Sequence, residues 1–114
     1  MPHAKQARAA AIMASVDDVE AQFYEALACA DLERLMALWS EDDEIACVHP
    51  GGQRLIGHAA VRASFEAIFA NGAIPVRLAQ ARRVESGACS IHHVLERVDI
   101  LTAEGAQTAW VVAT

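Results

Sequence analysis

Residues 76–114 read VRLAQARRVESGACSIHHVLERVDILTAEGAQTAWVVAT, and they decide the fold class. Three long β-prone segments, 76–85, 88–101 and 106–114, are separated by the short breaks Ser86-Gly87 and 102–105. Breaks of that length and composition turn the chain back on itself, so the segments form an antiparallel meander. Strands of ten or so residues exceed the usual five or six and call for strong twist and curvature.

Upstream of Pro75 the pattern turns helical. Asn71-Gly72 makes a left-handed stop for a helix over 58–70, whose buried stripe is Val61, Phe65, Ile68 and Phe69. Gly57 leads into it. Pro50-Gly51-Gly52 forms a tight turn between two short strands, 45–49 and 53–56. A second helix spans 32–39, with Asp31 as N-cap. The acidic run Glu41-Asp42-Asp43-Glu44 ends it, because negative charge at a helix C-terminus opposes the macrodipole. The first helix spans 16–29, with Val16, Val19, Phe23, Ala26, Leu27 and Ala30 at helical spacing and a capping-box-like start at Ser15 and Asp18. Helices first and a meander last give an α+β fold with the helices on one face of the sheet. One domain is expected over 1–114, with 1–14 as a tail or an extra helical turn.

Composition narrows the function classes. Hydrophobic residues at 54% against 21% charged exclude a disordered chain, while the absence of an eighteen-residue apolar run excludes a membrane helix. A net charge of −6 repels a phosphate backbone, so nucleic acid is not an expected partner. Three cysteines, Cys29, Cys47 and Cys89, with no CxxC pair, fit a reduced cytoplasmic setting and a role as core filler. The N-terminus lacks the apolar stretch of a secretory signal.

Several stretches together carry a family resemblance. Residues 24–27, Ala30-Asp31-Leu32, residues 35–39, Cys47-Val48-His49-Pro50-Gly51-Gly52 and Gly57 resemble the SnoaL-like, ketosteroid-isomerase-like group of the nuclear-transport-factor-like superfamily. His92-His93-Val94-Leu95-Glu96-Arg97-Val98 and Val111-Val112-Ala113-Thr114 are similar to that group as well. The likeness covers residues 16–114. It implies three helices packed on a strongly curved sheet, a cone-shaped barrel with a small-molecule pocket, and homodimers formed through the sheet. Members usually add a further hairpin and strand past the Ala-Thr step. That strand is missing after Thr114, so the expectation is either pairing at the sheet edge or continuation of the chain. The superfamily holds isomerases, dehydratases, cyclases, hydrolases and pure binding or assembly domains, so function has to be argued from the site.

His49 is the first candidate, ending a strand just before the turn. In the steroid isomerases that the chain resembles, an aspartate base holds the pre-proline position, and histidine also exchanges protons near neutral pH. The alternative is a histidine hydrogen-bonded to the turn that holds Pro50 and Gly51. The isomerase tyrosine falls near Phe23, which has no hydroxyl, so steroid isomerisation by the familiar residues is not expected.

Glu96 is the second candidate base. Alternation puts Ser90, His92, Val94, Glu96 and Val98 on one face of the strand, and Ile91, His93, Leu95, Arg97 and Asp99 on the other. A carboxylate among His92, Val94 and Val98 is placed for a raised pKa, whereas an exposed face would give a Glu–Arg cross-strand pair, with Arg82 as partner. Phe23, Trp39, Cys47, His49, His92, Val94, Glu96 and Trp110 are the expected pocket residues. No metal or cofactor is expected, since the spacing of His49, His92 and Glu96 does not demand a metal site. The expected ligand is a small hydrophobic or carboxylate molecule, with binding, proton transfer on a carbonyl compound and homodimeric assembly as the three functional readings.

Overall fold

A computed structural model describes residues 15–114; the expected tail or helical turn over 1–14 lies outside them. The chain divides between Ala73 and Ile74 into two compact units. The first contains α1 (Val16–Cys29), α2 (Leu32–Met36), β1 (Ala46–Val48), β2 (Arg54–Ile56) and α3 (His58–Phe69); the second contains β3 (Val76–Ser86), β4 (Cys89–Thr102) and β5 (Gly105–Ala113). The α+β class and the order of helices before meander are borne out. Among the described residues no helix is long and apolar enough to cross a membrane.

In the first unit α1 starts where Ser15 accepts a hydrogen bond from the Asp18 amide at 3.1 Å. It ends at Ala30, which takes the left-handed conformation at φ 53°. There the Asp31 amide donates to the Ala26 carbonyl at 3.0 Å and the Ala30 amide to that of Leu27 at 3.3 Å, a Schellman closure. The Asp31 carboxylate then accepts from the Arg34 amide at 3.1 Å, opening α2. One aspartate therefore closes one helix with its backbone and caps the next with its side chain, so that only Ala30 and Asp31 separate α1 from α2. An Arg34–Glu25 ion pair at 3.0 Å ties α2 back to α1, and Arg62 on α3 pairs with Glu33 on α2.

Helix α2 is shorter than the expected 32–39. Leu38 and Trp39 donate to carbonyls only three residues back, so the helix tightens into a single turn before the acidic run is reached. Ala26, Leu27, Leu35, Met36, Ala37, Val61 and Phe65 are buried in this unit. Ala26, Leu27, Val61 and Phe65 lie on the stripes read from spacing, whereas Val16, at the start of the expected α1 stripe, is 46% exposed. Cys29 and Cys89 correct the core-filler expectation: both thiols are exposed, one on the last turn of α1 and the other beside the β3–β4 hairpin, while Cys47 is part-buried.

In the second unit β3, β4 and β5 form an antiparallel sheet in that order, separate from the two-stranded β1–β2 ladder. Ser86 pairs with Cys89 and Thr102 with Gly105, so both hairpins have two-residue loops at the expected breaks. A register shift between Leu78 and Gln80 inserts an extra residue into β3, which bends the strand and raises its twist. The sheet is curved, as expected, and does not close into a full barrel.

Candidate functional site

His49 follows β1 immediately and enters a turn in which the Gly52 amide donates to the His49 carbonyl at 2.9 Å. Pro50 is pre-set for the first central position, and Gly51 at φ 73° fills the second, where a left-handed residue is needed; this is the type II pattern. Gly52 also leaves room, since a β-carbon there would lie 3.2 Å from the His49 carbonyl oxygen.

The turn is held by backbone, and the imidazole is used elsewhere. His49 Nε2 lies 2.9 Å from Ser64 Oγ on α3 and 3.7 Å from Cys47 Sγ. Ser64 Oγ in turn donates to the Val61 carbonyl at 2.7 Å. The alternative expectation, a ring hydrogen-bonded to its own turn, is not what forms.

Phe65, one residue beyond Ser64, is the hub of an aromatic cluster and is only 4% exposed. His49 meets it edge-on at 4.8 Å between ring centroids, and Phe23 does so at 6.3 Å. Trp39 and Phe69 complete the ring of neighbours at 6.4 and 6.1 Å. Such edge-to-face and tilted geometries match the aromatic quadrupole. Burial in these apolar surroundings pushes the His49 pKa below its ordinary value, favouring the neutral imidazole, and pushes the Cys47 thiol up.

Four of the eight residues expected at a pocket, Phe23, Trp39, Cys47 and His49, thus belong to one cluster in the first unit. Sequence reading missed Ser64 and assigned Phe65 only to the core. The available signal was their position on α3 beside Val61, but no sequence pattern states that the 49–52 turn delivers its histidine to that helix.

The other four residues lie on the sheet. Ser90, His92, Val94, Glu96 and Val98 form the more buried face of β4, and Val94 is its buried residue. Glu96 stands opposite Leu78 on β3 and Val111 on β5, between two apolar neighbours. His92 Nε2 is 2.9 Å from Ser90 Oγ. Arg82 stands opposite His93 on the other face, so it is not the cross-strand partner of Glu96. Trp110 also lies on that other face, opposite Arg97, and is 57% exposed.

A model of the SnoaL-like domain family matches residues 16–114. No curated protein is significantly similar to the chain. Among solved structures, a Thiobacillus denitrificans protein named as a candidate calcium/calmodulin-dependent protein kinase type II association domain is 29% identical, with a TM-score of 0.72 over 86% of this chain and 81% of its own. A candidate dehydratase of the NTF2-like family from Streptomyces avermitilis is 24% identical, with a TM-score of 0.58 over 82% of this chain and 87% of its own. The CaMKII hub of S. rosetta is 18% identical, with a TM-score of 0.63 over 85% and 75% respectively. The last two likenesses establish shared fold alone.

Proposed function

This chain belongs to the SnoaL-like domain family, and from that premise we propose that it binds a small, largely apolar molecule beside the Phe65 cluster, with His49 as the polar contact. The observation that carries this reading is a half-buried imidazole set edge-on against an aromatic hub, with burial favouring its neutral form. Ligand sites are mostly apolar, with a few placed polar groups that fix orientation, and this cluster has that composition. A histidine with a lowered pKa also suits proton exchange with a bound carbonyl compound, which makes His49 the first residue to test for catalysis. Glu96, between Leu78 and Val111, is the second.

The reading is tested by a thermal-shift screen against steroids, polyketide-like aromatics and small carboxylic acids. Ligand at about a hundred times its dissociation constant stabilises the folded state by about 2.7 kcal/mol. A shift that shrinks in His49→Ala is the expected outcome. No shift from any class would count against binding.

A second reading is assembly through the open sheet. Leu101, Trp110 and Val112, on one face of β4 and β5, are 86%, 57% and 79% exposed. Apolar groups of this size in open view on a sheet face suit an interface between copies. The name of the Thiobacillus relative, an association domain, points the same way. Sedimentation at micromolar concentration decides it: an oligomer supports assembly and a monomer opposes it.

A further inference from the structure

The hydroxyl of Ser64 has one proton and two close polar neighbours, the Val61 carbonyl oxygen at 2.7 Å and His49 Nε2 at 2.9 Å. If that proton went to the imidazole, the 2.7 Å contact would set two oxygen lone pairs against each other. If it goes to the carbonyl, Ser64 Oγ presents a lone pair to the ring, and Nε2 must carry the hydrogen for the second contact to be attractive. Only this arrangement makes both contacts hydrogen bonds.

Cys47 fits the same assignment. Its sulfur, 3.7 Å from Nε2, serves as a weak second acceptor for the Nε2–H. An S–H donated to Nε2 would need a lone pair there that the Ser64 contact excludes. Both polar contacts of the ring therefore fall on Nε2, and among the described residues Nδ1 makes none.

We infer that Ser64 is a positioning residue that locks neutral His49 as the Nε2–H tautomer, leaving Nδ1 to accept a hydrogen bond from a ligand hydroxyl of phenol or enol type. The inference deepens the binding reading above and rests on it for the ligand, though not for the tautomer. Nδ1 is then also the atom that receives a proton if His49 acts as a base. A ligand offering only acceptors, such as an ether or ester, has no partner at neutral His49.

The tautomer is read in the ligand-free protein by long-range proton–nitrogen NMR of the uniformly 15N-labelled full chain, above the pH at which His49 titrates. His49 signals are identified by their loss in His49→Gln. Expected is a pyrrole-type shift for Nε2 and a pyridine-type shift for Nδ1. In Ser64→Ala the two nitrogens move toward averaged shifts as the tautomers mix, while Ser64→Thr, which keeps the hydroxyl, restores the original pattern. The reverse assignment in the unmodified chain, or a pattern unchanged in Ser64→Ala, overturns the role of Ser64.

Ligand chemistry is read by titrating 2-naphthol against 2-methoxynaphthalene, which has the same rings and no donor. Naphthol binding at least tenfold tighter and moving the Nδ1 signal is the expected result; equal affinity overturns the donor requirement. If neither compound binds but the tautomer is as assigned, the binding reading fails and the role of Ser64 stands.

Discussion

His49 takes its properties from residues on α3 rather than from its own turn. The Phe65 ring and the surrounding apolar groups strip water from the imidazole, which penalises its charged form and lowers its pKa. The linked stability effect has a definite sign. The unfolded chain protonates this histidine at about 6.5 and the folded chain at a lower pH, so between the two the unfolded state holds more protons. The contribution is full above the unfolded value and is lost as pH falls through the folded one. A proton NMR titration is expected to place the His49 midpoint below 6.5, and His49→Gln is expected to flatten the acid side of the stability profile. A midpoint at or above that value would contradict the burial described here.

The same burial raises the Cys47 thiol, whereas Cys29 and Cys89 are exposed. Reactivity follows the thiolate, so iodoacetamide at neutral pH should modify Cys29 and Cys89 well before Cys47. Mass mapping of a short alkylation series checks that order. Phe65→Ala removes a buried ring on which four others lean and is expected to cost about 3–5 kcal/mol in denaturant unfolding.

At the scale of elements, the corner between α1 and α2 makes the sharpest prediction. Ala30 sits at φ 53°, where a β-carbon is strained and glycine is not. Ala30→Gly is therefore expected to stabilise the fold by about 0.5–1 kcal/mol despite the added freedom of the unfolded chain. Asp31→Ala removes the cap of α2 and is expected to cost about 0.5–2 kcal/mol. Urea midpoints for the two variants should move in opposite directions.

Elements of this kind were largely legible in the sequence because local chemistry sets them. The 16–29 helix begins at the serine cap and the meander breaks at its two turn sequences, whereas the left-handed end at Ala30 has no glycine or asparagine to announce it. Helix α2 was overestimated because apolar spacing continues through Leu38 and Trp39 even though the hydrogen bonding has already tightened. The site was half legible. His49 stood out by its place before Pro50, and Phe23, Trp39 and Cys47 by their type. Ser64 did not, because a serine inside a helix has no local signature and gains meaning only when a distant turn brings an imidazole to it. Alternation sorted the residues of β4 correctly by face, but it said nothing of Trp110, whose face depends on the register of β5 against β4.

For the whole molecule, family membership gives a fold used for many purposes, and the choice among them rests on two surfaces. One is the Phe65 cluster with its histidine, and the other is the exposed face of β4 and β5. If that face is an interface, Trp110→Asp combined with Val112→Asp should convert an oligomer to a monomer in sedimentation without unfolding it, since both side chains are more than half exposed. The titration of His49 should be unchanged in that variant. Loss of ordered structure would show instead that the face is needed for folding.

Binding of a small molecule at the Phe65 cluster is decided by chemical-shift mapping during titration with 2-naphthol. Saturable changes concentrated at His49, Ser64, Phe65 and Trp39 are expected, with their loss in His49→Ala while the spectrum stays dispersed. Changes confined to Leu101, Trp110 and Val112, or none at all up to the solubility of the compound, would contradict binding there.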